Sequence, residues 1–172
     1  ANITESFFWI CSEPDKYMFY SKDDILDTVK ETGINGLLVP PGHKFREIKR
    51  IVMPVNFKSK NFGVYRGVQF IFEKFNPLVN AVSVATHSDY PDMELKAGAW
   101  KKVAKNSFFF ILLKINFLEG DNYLETFLGY IKKNFPELVM VFEHQENDLK
   151  NIFKPEQIYD ILERTDTPVL LH

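Results

Sequence analysis

Three groups of residues in this sequence have the types that chemistry requires. The first is the acidic stretch that begins at Glu143, where His144 stands beside Glu143 and close to Glu146 and Asp148. An imidazole among carboxylates can pass a proton near neutral pH. With no partner on a second element it reads as a solvated loop histidine. The second is Cys11, the only cysteine. A redox-sensing thiolate needs cationic neighbours, none stands nearby, and the thiol reads as an ordinary one. The third is a basic cluster, Lys44, Arg46, Lys49, Arg50, Lys58, Lys60 and Arg66, opposed only by Glu47. Such a cluster suits phosphate or nucleic acid. It lacks the interleaved aromatics of a nucleic-acid reader and reads as a solvated linker that pairs with the acidic 143–148 stretch. His43, His87, His144 and His172 place no two imidazoles at metal-ligand spacing on one element. No catalytic residue and no metal site is therefore assigned.

The elements that must position these residues alternate. Strands are expected at Ser6–Cys11, Gly36–Val39, Ile51–Val55, Val79–Ala85, Phe108–Ile115, Leu138–Phe142 and Val169–Leu171. Several are apolar on successive positions, as in parallel sheets covered on both faces. Between them, helices are expected from Ser21 to near Gly33, from Asn61 to Phe75 before Asn76-Pro77, and from Met93 to Val103 around Gly98. Another is capped by Asp121 with the stripe Tyr123, Leu124, Phe127, Leu128 and Ile131. The last has Pro155 in its first turn. From Lys49 the order β-α-β-α-β-α-β-α-β predicts a doubly wound α/β sheet of five parallel strands with right-handed crossovers.

Composition bounds the class. The 172 residues are 45% hydrophobic and include 17 Phe, enough for one bulky core with some sequence left over. The net charge of -2 gives no general attraction for a polyanion. No apolar run approaches the roughly 20 residues of a membrane helix. Ala1–Pro14 has no basic start and carries Glu5 and Glu13, unlike a signal peptide. A single cysteine forms no internal disulfide, which suits a reducing compartment. A cytoplasmic protein without nucleic-acid or membrane partners is expected. With no initiator Met and a hydrophobic strand almost at its start, the chain reads as a fragment whose natural start lies upstream.

The first forty residues also resemble the last forty. At an offset of 133 positions, the distance from Glu13 to Glu146, Asp15 falls on Asp148, Ile25 on Ile158 and Asp27 on Asp160. Thr32 falls on Thr165, Leu37 on Leu170, Leu38 on Leu171, and Cys11 on His144. A period near domain length suggests two tandem copies. On this reading residues 1–40 are a partial domain, the last strand-helix-strand of a preceding copy. Residues 41–49 are a linker, and residues 50–172 are the second domain.

That second copy resembles the universal stress protein family over about Phe45–His172. The segment IKRIVMPVNFKSKN is similar to the family's opening strand and its Pro-x-Asp-Phe/Gly-Ser turn. INFLEGDNYLETFLGYIKKNFPELVMV is similar to the third-strand end, Gly-Asp turn, helix and fourth strand, and RTDTPVLLH to the closing turn and strand. The resemblance implies an adenine nucleotide alpha hydrolase-like, Rossmann-like sheet of order 3-2-1-4-5. Alternation alone would also allow the flavodoxin-like order 2-1-3-4-5. Tandem copies are common in the family, which supports the repeat.

The resemblance also implies a site that this sequence alters. ATP-binding members carry Gly-x-x-Gly, nine residues, then Gly-Ser/Thr after the fourth strand. Those glycines let backbone N–H groups close around phosphate. Here the stretch EHQENDLKNIFKPEQ has no glycine and carries Glu143, Glu146 and Asp148, and Asn56 stands where the family has Asp. A UspA-like, tandem-type, non-ATP-binding variant is thus expected: a non-enzymatic stress-response module without cofactor, working as a homodimer with an unidentified protein partner. The alternative is a small-molecule or nucleotide (ATP/AMP) binder with a remodelled pocket, whose contacts would be Pro54, Asn56, Met140 and Val141. For assembly, Leu37, Leu38 and Val39 are expected to pair with Val169, Leu170 and Leu171, within one chain or between two. The linker Pro40–Lys49, at up to about 3.3 Å per residue, is long enough for that.

Overall fold

The structure is a computed structural model that describes residues 8–11, 29, 31, 35–40, 42–57, 67–85, 89–107, 112–142, 152–153 and 155–171. Its strands are β1 (Phe8–Cys11), β2 (Asn35–Leu38), β3 (Arg50–Pro54), β4 (Leu78–Ala85), β5 (Leu112–Glu119), β6 (Leu138–Val141) and β7 (Val169–Leu171). Its helices are α1 (Gln69–Phe75), α2 (Tyr90–Ser107), α3 (Tyr123–Asn134) and α4 (Pro155–Arg164). The seven strands form one sheet in the order β1-β2-β7-β6-β3-β4-β5. From Arg50 onward the neighbours are parallel, and the first of these strands, β3, lies between β4 and β6.

From Arg50 onward the five parallel strands stand in the order β5-β4-β3-β6-β7, the expected 3-2-1-4-5, but the sheet continues beyond them. β7 does not end it, because β2 pairs antiparallel with β7: Gly36 faces Leu171, Leu37 faces Leu170 and Leu38 faces Val169. β1 then adds parallel to β2. The sheet is mixed, with one antiparallel seam. The physical reason is the apolar edge of β7, whose N–H and C=O groups need partners once buried.

The seam has a local two-fold character. Leu37 lies opposite Leu170, its own mate in the offset alignment, and the flanking pairs exchange reciprocally. Ile10 pairs with Leu37 as Met140 pairs with Leu170. This register corrects one detail of the ungapped alignment. Cys11 pairs with Leu38 as Val141 pairs with Leu171, so Cys11 takes the place of Val141 rather than His144. The β1–β2 crossover is shorter than the β6–β7 one, and an ungapped alignment slips there.

Both faces of the sheet are covered. Ile51, Met53, Val79, Ala81, Leu138, Met140 and Leu170 pack under α1 and α2. Val52, Val82, Val139, Val141, Val169 and Leu171 pack under α3 and α4, together with Val29. This explains the uninterrupted apolar strands. α3 buries Leu124, Phe127, Leu128 and Ile131, the stripe read from the sequence. Its cap is Asn122, whose side chain accepts from Glu125 N–H at 3.2 Å, and not Asp121. α1 stops at Asn76, which is left-handed at φ 44 and donates its N–H to Phe72 O at 2.9 Å, with Pro77 following.

Two boundaries differ from expectation. α2 runs four residues further than Val103, because its buried stripe is built of Ala97, Trp100 and Ala104 and is too small to give a strong periodic signal. Gly98 sits on its exposed face, with nothing for a side chain to strike. β5 is described over Leu112–Glu119 and runs four residues past the expected end at Ile115, while residues 108–111, the first half of the expected strand, lie outside the described residues. The helix expected between Ser21 and Gly33 also lies outside them, apart from Val29 and Glu31.

The starts of β3 and β6 are clamped. Arg50 donates its backbone N–H and a guanidinium N–H to the two carboxylate oxygens of Glu137 at 2.8 and 2.9 Å. The same guanidinium reaches Phe135 O at 2.9 Å, and Glu137 N–H returns a bond to Arg50 O at 3.1 Å. Burial alone would raise the Glu137 carboxyl pKa, but the Arg50 hydrogen bonds outweigh it and hold the group below the ordinary carboxylate range.

Two measurements probe this architecture. Leu170→Ala should cost about 2–5 kcal/mol, because Leu170 is 1% exposed at the seam. Leu95→Ala, at a position 76% exposed, should stay within about 0.5 kcal/mol in the same urea titration. Glu137→Gln should destabilise by about 1–3 kcal/mol at neutral pH. Because the folded carboxyl pKa is depressed, its contribution is present above the unfolded value, about 4.3. It is lost as pH falls through the folded value, so the difference from wild type should close below about pH 4.

Candidate functional site

In an open parallel sheet, ligands sit outside the carboxyl ends of the strands where the strand order reverses. Here that point lies between β3 and its neighbours β4 and β6. The chain leaves β3 through Pro54-Val55-Asn56-Phe57. Val55 N–H continues the ladder to Val82 O at 2.8 Å. Phe57 then adopts φ 55, a left-handed conformation that a bulky residue adopts only when held there. Its ring is 4% exposed and meets Trp100 edge-on at 5.6 Å and Phe117 at 5.6 Å. The turn after Asn56 is thus fixed by an aromatic anchor in the core.

Tyr123 closes the same end from the other face. It begins α3, directly after the Asn122 cap. Its hydroxyl donates toward Val55 O at 3.4 Å, just past the end of β3, and toward Val82 O at 3.3 Å, inside β4 opposite Pro54. Phe153 packs edge-on against the Tyr123 ring at 5.2 Å and against Phe127 at 5.3 Å, and is 2% exposed. Burial pushes the Tyr123 phenol far above its ordinary range, against the opposing influence of the Ser83 side chain and the Val84 backbone. The group is a neutral hydrogen-bond donor and not a proton-transfer acid near pH 7.

The four residues named for nucleotide contact separate under this geometry. Pro54 is the last residue of β3 and pairs with Val82. Asn56 is half-buried beyond it. Met140 and Val141 are adjacent in β6, but their side chains enter opposite cores, Met140 below α1 and α2 and Val141 below α3 and α4. The edge residues come together directly: Leu37 against Leu170 and Leu38 against Val169, with Val39 just past the end of β2. Residues 143–151, with His144, lie outside the described residues, as do His87, His172, Lys58, Lys60 and Arg66. In the basic cluster, Lys49 pairs with Glu47 at 3.5 Å and Arg50 with Glu137. Among the described residues no group of His, Cys, Asp and Glu could hold a metal ion, and no helix is long and apolar enough to cross a membrane.

Sequence reasoning passed over Tyr123 and Phe153. Tyr123 was counted only as part of an apolar stripe, although a tyrosine in the first turn after a Gly-Asp-Asn turn places its hydroxyl near the sheet end. Phe153 carried a weak signal, an Ile152-Phe153 pair within a charged stretch.

No protein-family model matches this chain, and no curated protein sequence does. Solved structures do resemble it. A universal stress protein from Archaeoglobus fulgidus superposes with a TM-score of 0.59 at 10% identity, over 80% of this chain and 50% of that one. A functionally unknown protein from Pseudomonas aeruginosa gives 0.56 at 12% identity, over 95% of this chain and 62% of its own. A universal stress protein solved in complex with cAMP gives 0.55 at 12% identity, over 74% of this chain and 98% of its own. The chain thus spans only half of the Archaeoglobus protein. It has the α/β fold of the universal stress proteins.

The buried phenol gives a direct test. Of the seven tyrosines, Tyr123 should stay protonated while exposed ones ionise, as followed by absorbance at 295 nm between pH 9 and about pH 12. Its folded pKa is raised, so its contribution to stability is complete below the unfolded value, about 10, and falls away as pH rises above it. Tyr123→Phe should therefore lose less stability than wild type between about pH 9 and pH 11.

Proposed function

We propose that this chain is a universal-stress-like module of tandem type that works without catalysis or bound nucleotide, through association with itself and with a protein partner in the cytoplasm. One observation carries the loss of nucleotide binding. The Val55 and Val82 carbonyls, beside the exit from β3, are engaged by the Tyr123 hydroxyl, and Phe153 is packed onto that ring. The sequence agrees, with no glycine between Glu143 and Gln157 and with Glu143, Glu146 and Asp148 opposing a triphosphate. The stress role rests on the likeness of fold alone.

The tandem reading is supported by the reciprocal pairing about Leu37 and Leu170. It makes β1 and β2 the counterpart of β6 and β7, and assigns residues 1–40 to a first copy and residues 50–172 to a second. On this reading the seam is the pairing that two copies use, and Leu37, Leu38, Val169, Leu170 and Leu171 are its contacts.

The second reading is a nucleotide-binding protein with a remodelled pocket at Pro54, Asn56, Met140 and Val141. The cAMP complex of a structural neighbour favours it, as does Asn56, a half-buried polar residue at the switch point. Thermal melting separates the two. Only a ligand that binds the native state raises stability, by about 2.7 kcal/mol at a hundred times its dissociation constant. With ATP-Mg²⁺ or cAMP at millimolar concentration the midpoint should move by less than about 1 °C. A rise of several degrees with either nucleotide, or a micromolar dissociation constant by calorimetry, would establish the second reading instead.

A further inference from the structure

The end of the sheet opposite the switch point carries a crevice in two parts. It lies at the starts of β3, β6 and β7, where the segment after Pro40 crosses to β3. His43 N–H donates to Pro40 O at 3.1 Å, and Gly42 at φ 72 makes the turn. The first part, of ≈ 480 Å³, is apolar. Leu37, Leu138 and Leu170 line it together with Ile48, Ile71 and Phe75. Phe45 and Phe70 also line it, yet stay 78% and 42% exposed. The second part, of ≈ 430 Å³, is mixed: Lys44, Asp166 and Thr167 line it beside Pro40, Phe135 and Pro136. His43, Arg46 and Glu137 line both parts and mark their junction.

The charges at that junction do not cancel. The Glu137 carboxylate is already held by Arg50. Lys44 and Arg46 have no carboxylate partner among the described residues, and Asp166 is the remaining acid of the second part. Two fixed cations and an imidazole therefore stand at the mouth of an apolar groove. Its volume is within the range of small-molecule sites, and its make-up is that of such sites: mostly hydrophobic lining with a few converging polar groups. A two-fold copy of the chain fits this charge poorly, because it would set Lys44 and Arg46 against their own counterparts. An occupant with an apolar body and a single anionic end matches both parts.

We propose that this crevice binds a free, single-chain amphiphilic carboxylate. The alkyl tail lies along Leu37, Leu170 and Phe70, and the carboxylate meets Lys44 and Arg46. Arg46 is the specificity residue, since its planar fork matches a carboxylate in bidentate fashion. Phe45 folds down over the tail from the mouth. This site is independent of the carboxyl-end crevice and of whether nucleotide binds there.

Calorimetric titration of the full chain with three probes tests the assignment: dodecanoate below its micelle concentration, dodecyltrimethylammonium, and acetate. Dodecanoate should bind, with affinity rising about fourfold per methylene across the octanoate, decanoate and dodecanoate series. Acetate should give no heat. The cationic amphiphile should bind at least about tenfold more weakly. Lys44→Glu with Arg46→Glu should reverse the preference between the two charged dodecyl probes. Phe45→Ser with Phe70→Ser should weaken both. Equal binding of the two dodecyl probes, unchanged dodecanoate affinity in the Lys44→Glu/Arg46→Glu variant, or no heat up to about 1 mM dodecanoate would overturn the assignment. So would a dimer in sedimentation that binds no dodecanoate and dissociates on Phe45→Ser/Phe70→Ser, which would give the crevice to a second copy of the chain.

Discussion

Strand β7 is three residues long, fully buried, and paired on both sides. So short a strand holds its place only through its neighbours, and the rest of the sheet depends on it. On one side β6 supplies a parallel ladder and leads to the central strand β3. On the other, β2 closes the edge with the antiparallel pairs Leu37–Leu170 and Leu38–Val169. Without β2, three buried residues would leave a row of backbone donors and acceptors unpaired, each missing bond carrying a penalty of about 1–3 kcal/mol. The seam also fixes the faces. Because side chains alternate along a strand, Leu170 goes to the core under α1 and α2, while Val169 and Leu171 go to the core under α3 and α4. A slip of one residue at the seam would exchange the two cores.

With the sheet set in this way, its two ends diverge in character. At the carboxyl end, among the described residues, aromatic side chains gather around the exit from β3. Phe57 turns inward onto Trp100 and Phe117, and Tyr123 reaches over the last carbonyls with Phe153 behind it. Aromatic bodies there contribute to the core, and the one polar tip satisfies backbone acceptors. At the amino end, the Arg50–Glu137 clamp ties β3 to β6, and the segment 42–48 stands off the sheet far enough to leave a crevice. Backbone carbonyls and Arg50 are already satisfied by the clamp, so the groups left facing the crevice are the side chains of His43, Lys44 and Arg46.

Much of this was legible in the residues, and the failures have physical causes. Strands covered on both faces announce themselves as apolar runs, and α3 and α4 as stripes, so their existence and order followed from periodicity. The reading of α2 found the helix but ended it at Val103, because alanines carry the contact and alanine gives little contrast with its surroundings. The seam was legible because an edge strand with no polar residue must be covered. The size of the sheet was not, because no local pattern states that a separate-looking segment joins a sheet already counted. At the carboxyl end, the missing glycines and Asn56 were visible as absences. The contact of the Tyr123 hydroxyl with Val55 O was not visible, because the two are 68 positions apart in sequence and meet only through the fold.

The same distinction explains why the amino-end crevice has no sequence signature. A loop that cradles phosphate needs glycines at fixed spacing, since backbone must approach the ligand, and that requirement leaves a motif. A groove built from side chains needs no fixed spacing. Its floor comes from three strands, its wall from α1, and its charge from a connecting segment that reads as solvated linker. Phe45, between Lys44 and Arg46, is the one residue there that a solvated linker has no use for. Its 78% exposure leaves a large ring in water at a place where the neighbouring surface is also apolar. An isolated exposed phenylalanine needs no explanation. One that lies against an apolar groove, with Lys44 before it and Arg46 after it and neither paired with a carboxylate among the described residues, suits an occupant with both an oily and an anionic part.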